Sequence, residues 1–241
     1  MTVLSHLHVT MQVMPRRIRQ LEFDLRERAG WGGRRAGAGR KCGPSPLHDH
    51  RARAQLAARF PCHVTLKVRR GLPPLRTVRL VRELERSFAA ACERGRFRLA
   101  HYSIQNDHVH LIVEATSARG LACGMKSIGA RLARAVNRVF RRSGPVLTDR
   151  FHLHVLRTPR EVRNALAYVL LNARRHLAKI GRRLPAPATL DPASSARWFP
   201  GWRSRVPPAH DPPAVAMART WLLSRGWRRY ALLDPAEIPG L

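Results

Sequence analysis

The chain has few acidic residues, few lysines and few cysteines. Its 241 residues include 15 aspartates and glutamates against 45 lysines and arginines, which gives a formal charge of +30. Only four of the 45 basic residues are lysines, and arginine binds phosphate in a two-pronged geometry that lysine does not offer. Because so large a charge repels itself unless a polyanion neutralises it, nucleic acid is the expected partner, ahead of an anionic membrane surface.

The scarcity of cysteine and the absence of long apolar runs exclude further classes of protein. Cys42, Cys62, Cys92 and Cys123 lie far apart and form no CxxC pair, so neither a cysteine zinc site nor a disulfide framework is indicated. No continuous apolar segment of the secretory type stands at the N-terminus, and no stretch of about 18 apolar residues occurs. The sequence therefore predicts a cytoplasmic protein with no membrane partner.

Three segments differ in composition. Residues 1–59 mix glycines with arginines and predict a flexible basic arm, which either lies in a DNA minor groove or is a solvated linker. Residues 60–178 contain the regular hydrophobic patterns and predict the folded catalytic domain. Residues 179–241 are rich in proline, and their tryptophans, Trp202, Trp221 and Trp227, predict a C-terminal extension that docks on the domain.

The patterns in residues 60–178 predict an α+β fold. Strand-like segments at 60–70, 97–105, 107–115 and 146–158 alternate with helix-like segments at 77–95, 118–144 and 159–180. The order β-α-β-β-α-β-α is a split βαβ pattern, which predicts a ferredoxin-like antiparallel sheet with helices on one face. A tight turn at Asn106-Asp107 is expected to join the two middle strands.

The segment QNDHVHLIVE, residues 105–114, raises the first question about function. Alternate residues of a strand point to the same side, so His108 and His110 should stand side by side, about 6.6 Å apart, opposite Val109 and Leu111. Two neutral imidazoles at this spacing can hold a divalent cation. The alternative is a pair of histidines on a solvated sheet face, and the HVH triplet alone does not decide between the two.

The last predicted helix has a polar stripe on an otherwise apolar sequence. Asn164, Tyr168 and Asn172 recur every four residues and should project from one face. Tyr168 is then either a packed ring whose hydroxyl finds a partner or a nucleophile beside a metal ligand. His63, on the first predicted strand, is placed to border such a site, whereas His152 and His154 are expected to be structural or surface residues.

Arginines cluster along the second and the last predicted helices. Those expected to bind DNA are Arg131, Arg134, Arg138, Arg141, Arg142, Arg174 and Arg175. No acid balances the five arginines between positions 131 and 142, which favours contact with a phosphate backbone over the alternative of an ordinary solvated helix face.

Three elements in this order resemble a known family. HVH at 108–110, RFHLHVLRT at 150–158 and AYVLLNARRH at 167–176 are similar to the single-tyrosine HUH transposases, and most to the REP-associated tyrosine transposases. The late-helix motif of that family, Tyr-Ile-His-x-Asn-Pro-Val, is matched at Tyr168 and Asn172. Leu170 stands where the family often has histidine, and Ala173 where it often has proline. The resemblance covers roughly residues 60–178.

The resemblance implies a mechanism and the residues that perform it. His108, His110 and Asn172 would hold Mg²⁺ or Mn²⁺, and Tyr168 would be the nucleophile. The enzyme would cleave and rejoin single-stranded or hairpin DNA by transesterification through a 5′-phosphotyrosine, as a monomer or as a homodimer in which the partner chain supplies the tyrosine.

Two other functions remain open from the sequence. A non-catalytic nucleic-acid-binding protein on the same fold would need exposed aromatic residues on its sheet, and the candidate strands offer only Phe97 and Tyr102. Another HUH endonuclease, such as a relaxase or a replication initiator, is the third reading. The position of the histidines before the tyrosine favours a transposase over a relaxase or a replication initiator.

Overall fold

The structure, a computed structural model, describes residues 56–240. Most of the predicted basic arm, residues 1–55, lies outside the described residues. Five strands, β1 (Cys62–Lys67), β2 (Glu93–Arg94), β3 (Phe97–Ile104), β4 (His108–Ala115) and β5 (His152–Val155), form one antiparallel sheet in the order β2-β3-β4-β1-β5. The helices are α1 (Val78–Ala89), α2 (Ala118–Val139), α3 (Pro159–Leu170), α4 (Asn172–Lys179) and α5 (Trp221–Ser224), with 3₁₀ turns at Ser195–Trp198 and Gly226–Tyr230.

The middle of the sheet forms as the sequence predicts. Strands β3 and β4 are joined by a hairpin in which the backbone N–H of Gln105 donates to the carbonyl of His108 at 2.8 Å, so the turn falls at Asn106-Asp107. Strand β1 lies on the other side of β4, where Thr65 pairs with His110 and Lys67 with His108. This register places neighbouring side chains of β1 and β4 on a common face.

Helices α1 and α2 cover one face of the sheet. Thr77 and Ser117 cap them by accepting hydrogen bonds from backbone N–H groups of the first turn. Their apolar stripes pack on the inward side chains of β1, β3 and β4. A Cβ atom added at Gly124 of α2 would lie 2.1 Å from the ring of Phe97, so only glycine lets α2 come this close to β3.

Helix α3 lies on the opposite face of the sheet, unlike α1 and α2. Its apolar residues Val162, Leu166 and Val169 pack with Ala100 and Ile112 of the sheet. The prediction of helices on one face therefore holds for α1 and α2 but not for α3. The middle strands are buried on both sides because the C-terminal residues complete a second core there.

The C-terminal residues dock on this second face through apolar packing and one buried carboxylate. Trp202 and Trp227 are buried, whereas Trp221 is half exposed. Glu114 of β4 accepts hydrogen bonds from the backbone N–H groups of Arg219 and Thr220 and from the Thr220 hydroxyl.

In the described part of the chain, no helix is long and apolar enough to cross a membrane.

The single helix predicted over residues 159–180 is two helices. Leu171, with φ −110° and ψ 17°, leaves the helical region and separates α3 from α4. Asn172 is therefore the first residue of a second helix, not a residue in the last turn of a single helix that also carries Tyr168. The apolar periodicity continues through this break, which is why the sequence pattern does not reveal it.

Candidate active site

The two predicted histidines meet on the α3 face of the sheet. Because Val109 and Leu111 point into the core under α1 and α2, His108 and His110 point the other way. Their Nε2 atoms lie 2.9 Å apart. On the adjacent strand, His63 and Thr65 share this face, and both His63 Nε2, at 3.2 Å, and Thr65 Oγ1, at 3.1 Å, lie within hydrogen-bond distance of His110 Nδ1.

Tyr168 of α3 faces this histidine cluster. The centre of its ring lies 5.0 Å from that of His110 and 5.8 Å from that of His63, and both pairs meet edge to face. The Arg175 guanidinium lies 5.2 Å from the Tyr168 ring centre on the other side of the helix break. Tyr168 is partly exposed and, with His63, lines a cavity beside the sheet.

Burial keeps the imidazoles at the centre of the site neutral. Desolvation, assisted by the neighbouring His108, His63 and His176, lowers the pKa of His110 to about 3. Desolvation and the nearby His154 lower the pKa of His63 to about 4. A neutral imidazole has a lone pair free for coordination or proton transfer, so the cluster is in its ligand form at neutral pH.

Asp107 fixes the orientation of His108. Its carboxylate lies 2.7 Å from His108 Nδ1, and this hydrogen bond is the main reason that the pKa of Asp107 is lowered. With a proton held on Nδ1, His108 presents the lone pair of Nε2 towards His110. The sequence places Asp107 directly before the histidine pair, but its role becomes visible only in the contact.

The donor set fits a divalent cation. Two ligand atoms about 2.1 Å from a metal and at right angles to each other lie about 3.0 Å apart, which is close to the 2.9 Å between the histidine Nε2 atoms. Among the described residues no group of three or more His, Cys, Asp or Glu side chains is arranged around a metal position. A cation at His108 and His110 would therefore need an amide, water or substrate oxygen as well.

Asn172, the third predicted ligand, is buried, and in the described part of the chain neither polar atom of its side chain has a hydrogen-bond partner. A buried amide without a partner costs free energy. In the described part of the chain no hydrogen bond joins it to His108 or His110, so its part in a metal site stays a prediction.

Basic side chains lie close to the histidine cluster. Lys67 is paired with His108 across the sheet. His176 of α4 has its pKa lowered mainly by partial burial and then by His108, Arg175, Lys179 and Arg76, which shows how close these groups lie. Neither Lys67 nor His176 stands out in the sequence, because only the sheet register and the position of α4 bring them to the site.

The predicted DNA-binding arginines fall into different environments. Helix α2 covers the face of the sheet opposite the histidines; its Arg134 is exposed and its Arg138 forms an ion pair with Glu83, and Arg141, just after the helix, is exposed. Arg142 bonds to Asn137, and Arg131 is partly buried. The sheet thus separates the arginines of α2 from the candidate active site.

The two arginines of α4 also differ from each other. Arg174 is buried and donates to the Pro185 carbonyl at 2.9 Å, so its side chain holds the C-terminal residues, and its binding of DNA stays a prediction. Arg175 is the one member of the predicted set that contacts Tyr168.

Comparison with known proteins agrees with the sequence resemblance. Residues 62–156 match the model of a family described as Transposase IS200 like, which confirms the resemblance over that stretch; the match ends before Tyr168. A solved structure described as the REP-associated tyrosine transposase bound to a REP hairpin is 17% identical, with a TM-score of 0.43, and the likeness covers 54% of this chain and 74% of that chain. No curated protein matches the chain in sequence.

Proposed function

We propose that this chain, whose residues 62–156 match the model of a family described as Transposase IS200 like, cleaves and rejoins single-stranded or hairpin DNA through Tyr168. The most direct support is one arrangement: the Tyr168 ring lies 5.0 Å from His110, and His110 Nε2 lies 2.9 Å from His108 Nε2. A nucleophile and a pair of metal-ligating nitrogens therefore face the same partly open region. The net charge of +30 supports a polyanionic substrate.

The reaction exchanges one phosphodiester for another. The Tyr168 oxygen attacks the phosphorus in line with the 3′-oxygen, the hydroxyl loses its proton, and the bond from phosphorus to the 3′-oxygen breaks. The products are a 5′-phosphotyrosine and a free 3′-hydroxyl, which takes up a proton. Because the phosphotyrosine conserves the energy of the broken bond, a 3′-hydroxyl can attack it in turn and rejoin a strand without ATP.

The surrounding residues prepare the site for this exchange. Asp107 holds the proton of His108 on Nδ1, and Thr65 and His63 orient His110 from behind. Mg²⁺ or Mn²⁺ held by His108 and His110, with Asn172 as the candidate third ligand, would stabilise negative charge on a phosphate oxygen, and nitrogen ligands suit Mn²⁺ at least as well as Mg²⁺. Arg175, beside the Tyr168 ring, is positioned to attract the scissile phosphate.

Within one chain, Tyr168 already faces His108 and His110. The proposed site therefore does not need a homodimer in which the partner chain supplies the tyrosine. The exposed Arg134 of α2 and Arg141, which follows that helix, are candidates for binding DNA away from the reacting phosphate.

The test is the formation of a covalent adduct. Wild-type protein is incubated with hairpin-bearing single-stranded DNA and Mn²⁺, and the adduct is detected on a denaturing gel. We expect Tyr168→Phe to abolish it, whereas Tyr230→Phe, which changes a half-exposed tyrosine on the Gly226–Tyr230 turn, should leave it unchanged. An adduct formed by Tyr168→Phe would show that another residue is the nucleophile.

The metal is tested separately. EDTA should stop adduct formation by the wild-type protein, and addition of Mn²⁺ should restore it. His108→Ala and His110→Ala should each reduce the adduct by at least about 100-fold, because each removes a ligand. Cleavage that continues at full rate in EDTA would rule out the metal role of the two histidines.

A further inference from the structure

Tyr168 also lines a cavity that has no part in its proposed attack on phosphate. This cavity, of about 490 Å³, lies between β5, α3 and the C-terminal residues. Its walls include His63, His154, Glu161, Asn164, Tyr168 and Glu237. The volume falls in the range of sites for small organic groups. His108 and His110 are not part of its lining, so the cavity adjoins the histidine pair without containing it.

Two carboxylates line the cavity of this strongly basic protein, together with Arg163. The whole chain has 15 acidic residues against 45 basic ones, yet Glu161 and Glu237 both line this space. Glu237 is bound by Arg163, whose Nη2 donates to Oε2 at 2.6 Å. Glu161 accepts a hydrogen bond from the backbone N–H of Arg157 on Oε2 at 2.8 Å, and His154 Nε2 lies 4.0 Å from the same oxygen. Among the described residues no group bonds to Oε1, and a carboxylate oxygen attracts a hydrogen-bond donor.

One amide on the cavity wall is free to form hydrogen bonds. Asn164 precedes Tyr168 by one turn of α3 and is exposed, and within the described residues its side chain makes no hydrogen bond. An asparagine amide offers one donor face and one acceptor face, which matches the edge of a nucleobase. The rings of His63, His154 and Tyr168 provide flat surfaces against which a base can stack.

We propose that this cavity binds the nucleobase next to the scissile phosphate and selects bases that have an exocyclic amino group. This inference rests on the proposed function, because Tyr168 links the cavity to the reacting phosphate. Adenine, cytosine and guanine each present an amino group that can donate to Glu161 or to the Asn164 amide oxygen. Thymine presents carbonyl oxygens on both sides of its single N–H, and these oxygens would face the free oxygen of Glu161.

The experiment compares base preferences of the wild-type protein and Asn164→Ala. A DNA hairpin with randomised single-stranded flanks is offered to each protein. Strands bound at equilibrium and strands captured covalently are sequenced as two separate pools. For the wild type we expect thymine to be depleted roughly tenfold at one position beside the cleaved bond. Asn164→Ala should reduce this depletion at least threefold at that position and leave the other positions unchanged.

A control on the same helix separates base reading from general DNA affinity. Arg160 of α3 is exposed and does not line the cavity, so Arg160→Ala should weaken binding of all strands equally and preserve the thymine depletion. An abasic nucleotide at the selected position should weaken binding by the wild type more than binding by Asn164→Ala, which keeps the stacking rings but has already lost the amide.

The two proposals fail in different ways. If the wild type forms the Tyr168 adduct without any base preference beside the break, or if Asn164→Ala keeps the full preference, the base site is refuted and strand cleavage stands. If no adduct forms, strand cleavage is refuted. The equilibrium pool then decides the base site alone, because a preference that depends on Asn164 supports it and its absence overturns it.

Discussion

Protonation of His101 should link the stability of the fold to pH. This histidine lies on β3, away from the candidate active site, and only 8% of its surface is exposed. Its Nδ1 lies 3.3 Å from the Ser195 hydroxyl oxygen and its ring meets Phe199 edge to face. Burial lowers its pKa from 6.5 to about 4, so folding keeps the ring neutral where the unfolded chain would take up a proton.

The sign and size of the effect follow from that difference. Between pH 6.5 and about 4, the unfolded state binds one proton more than the folded state, so the free energy of unfolding falls as the pH falls. Each pH unit costs about 1.4 kcal/mol, and the whole interval costs about 3 kcal/mol. This is a large share of the roughly 5–15 kcal/mol that stabilises an ordinary domain.

The measurement is urea unfolding followed by circular dichroism between pH 7.5 and 4.5. His63 and His110 also have lowered pKa values, so the wild type should lose stability steeply. His101→Gln, which titrates no proton, should show a slope that is shallower by about 1.4 kcal/mol per pH unit. His152→Gln, at an exposed position, is the control. A slope in His101→Gln equal to that of the wild type would refute the reasoning, whatever the variant's stability at pH 7.5.

Three further outcomes follow from the contacts. Glu114→Ala leaves two backbone N–H groups and the Thr220 hydroxyl without their acceptor, so urea unfolding should show a loss of about 3 kcal/mol; a loss under 1 kcal/mol would mean that the C-terminal residues are not anchored there. Gly124→Val puts atoms into the Phe97 ring and should lower the free energy of unfolding by at least about 2 kcal/mol, with an unchanged melting curve as the contrary result. Arg175→Ala should weaken DNA binding and reduce the slope of log affinity against log salt concentration by about one unit. Arg174→Ala should instead lower the free energy of unfolding. Equal effects of the two variants on DNA binding would contradict the assignment of Arg174 to the fold.

Local patterns in the sequence were sufficient for the central strands and for the histidine pair. Alternation along a strand is a property of the backbone, so His108 and His110 had to share a face opposite Val109 and Leu111. The turn at Asn106-Asp107 and the capped starts of α1 and α2 likewise depend on residues that are close in the chain. Residues 62–156, which contain these strands and the histidine pair, match the model of a family described as Transposase IS200 like.

The placement of the arginines depends on parts of the chain that are distant in sequence. The sheet lies between the arginines of α2 and the histidines, because α3, not α2, packs on the histidine side. Arg174 and Arg175 are adjacent in sequence and equally charged, yet one is buried against Pro185 and the other lies beside Tyr168.

The sequence by itself predicted a polyanionic partner and determined the α+β pattern and the face of β4 that holds the two imidazoles, because composition and alternation are local properties of the chain. Only the tertiary structure decided that His63 and Thr65 stand behind His110, that Tyr168 faces that ring, and that two glutamates line the cavity beside it. These contacts depend on strand register and on the packing of α3 under the C-terminal residues, and no short stretch of sequence encodes either.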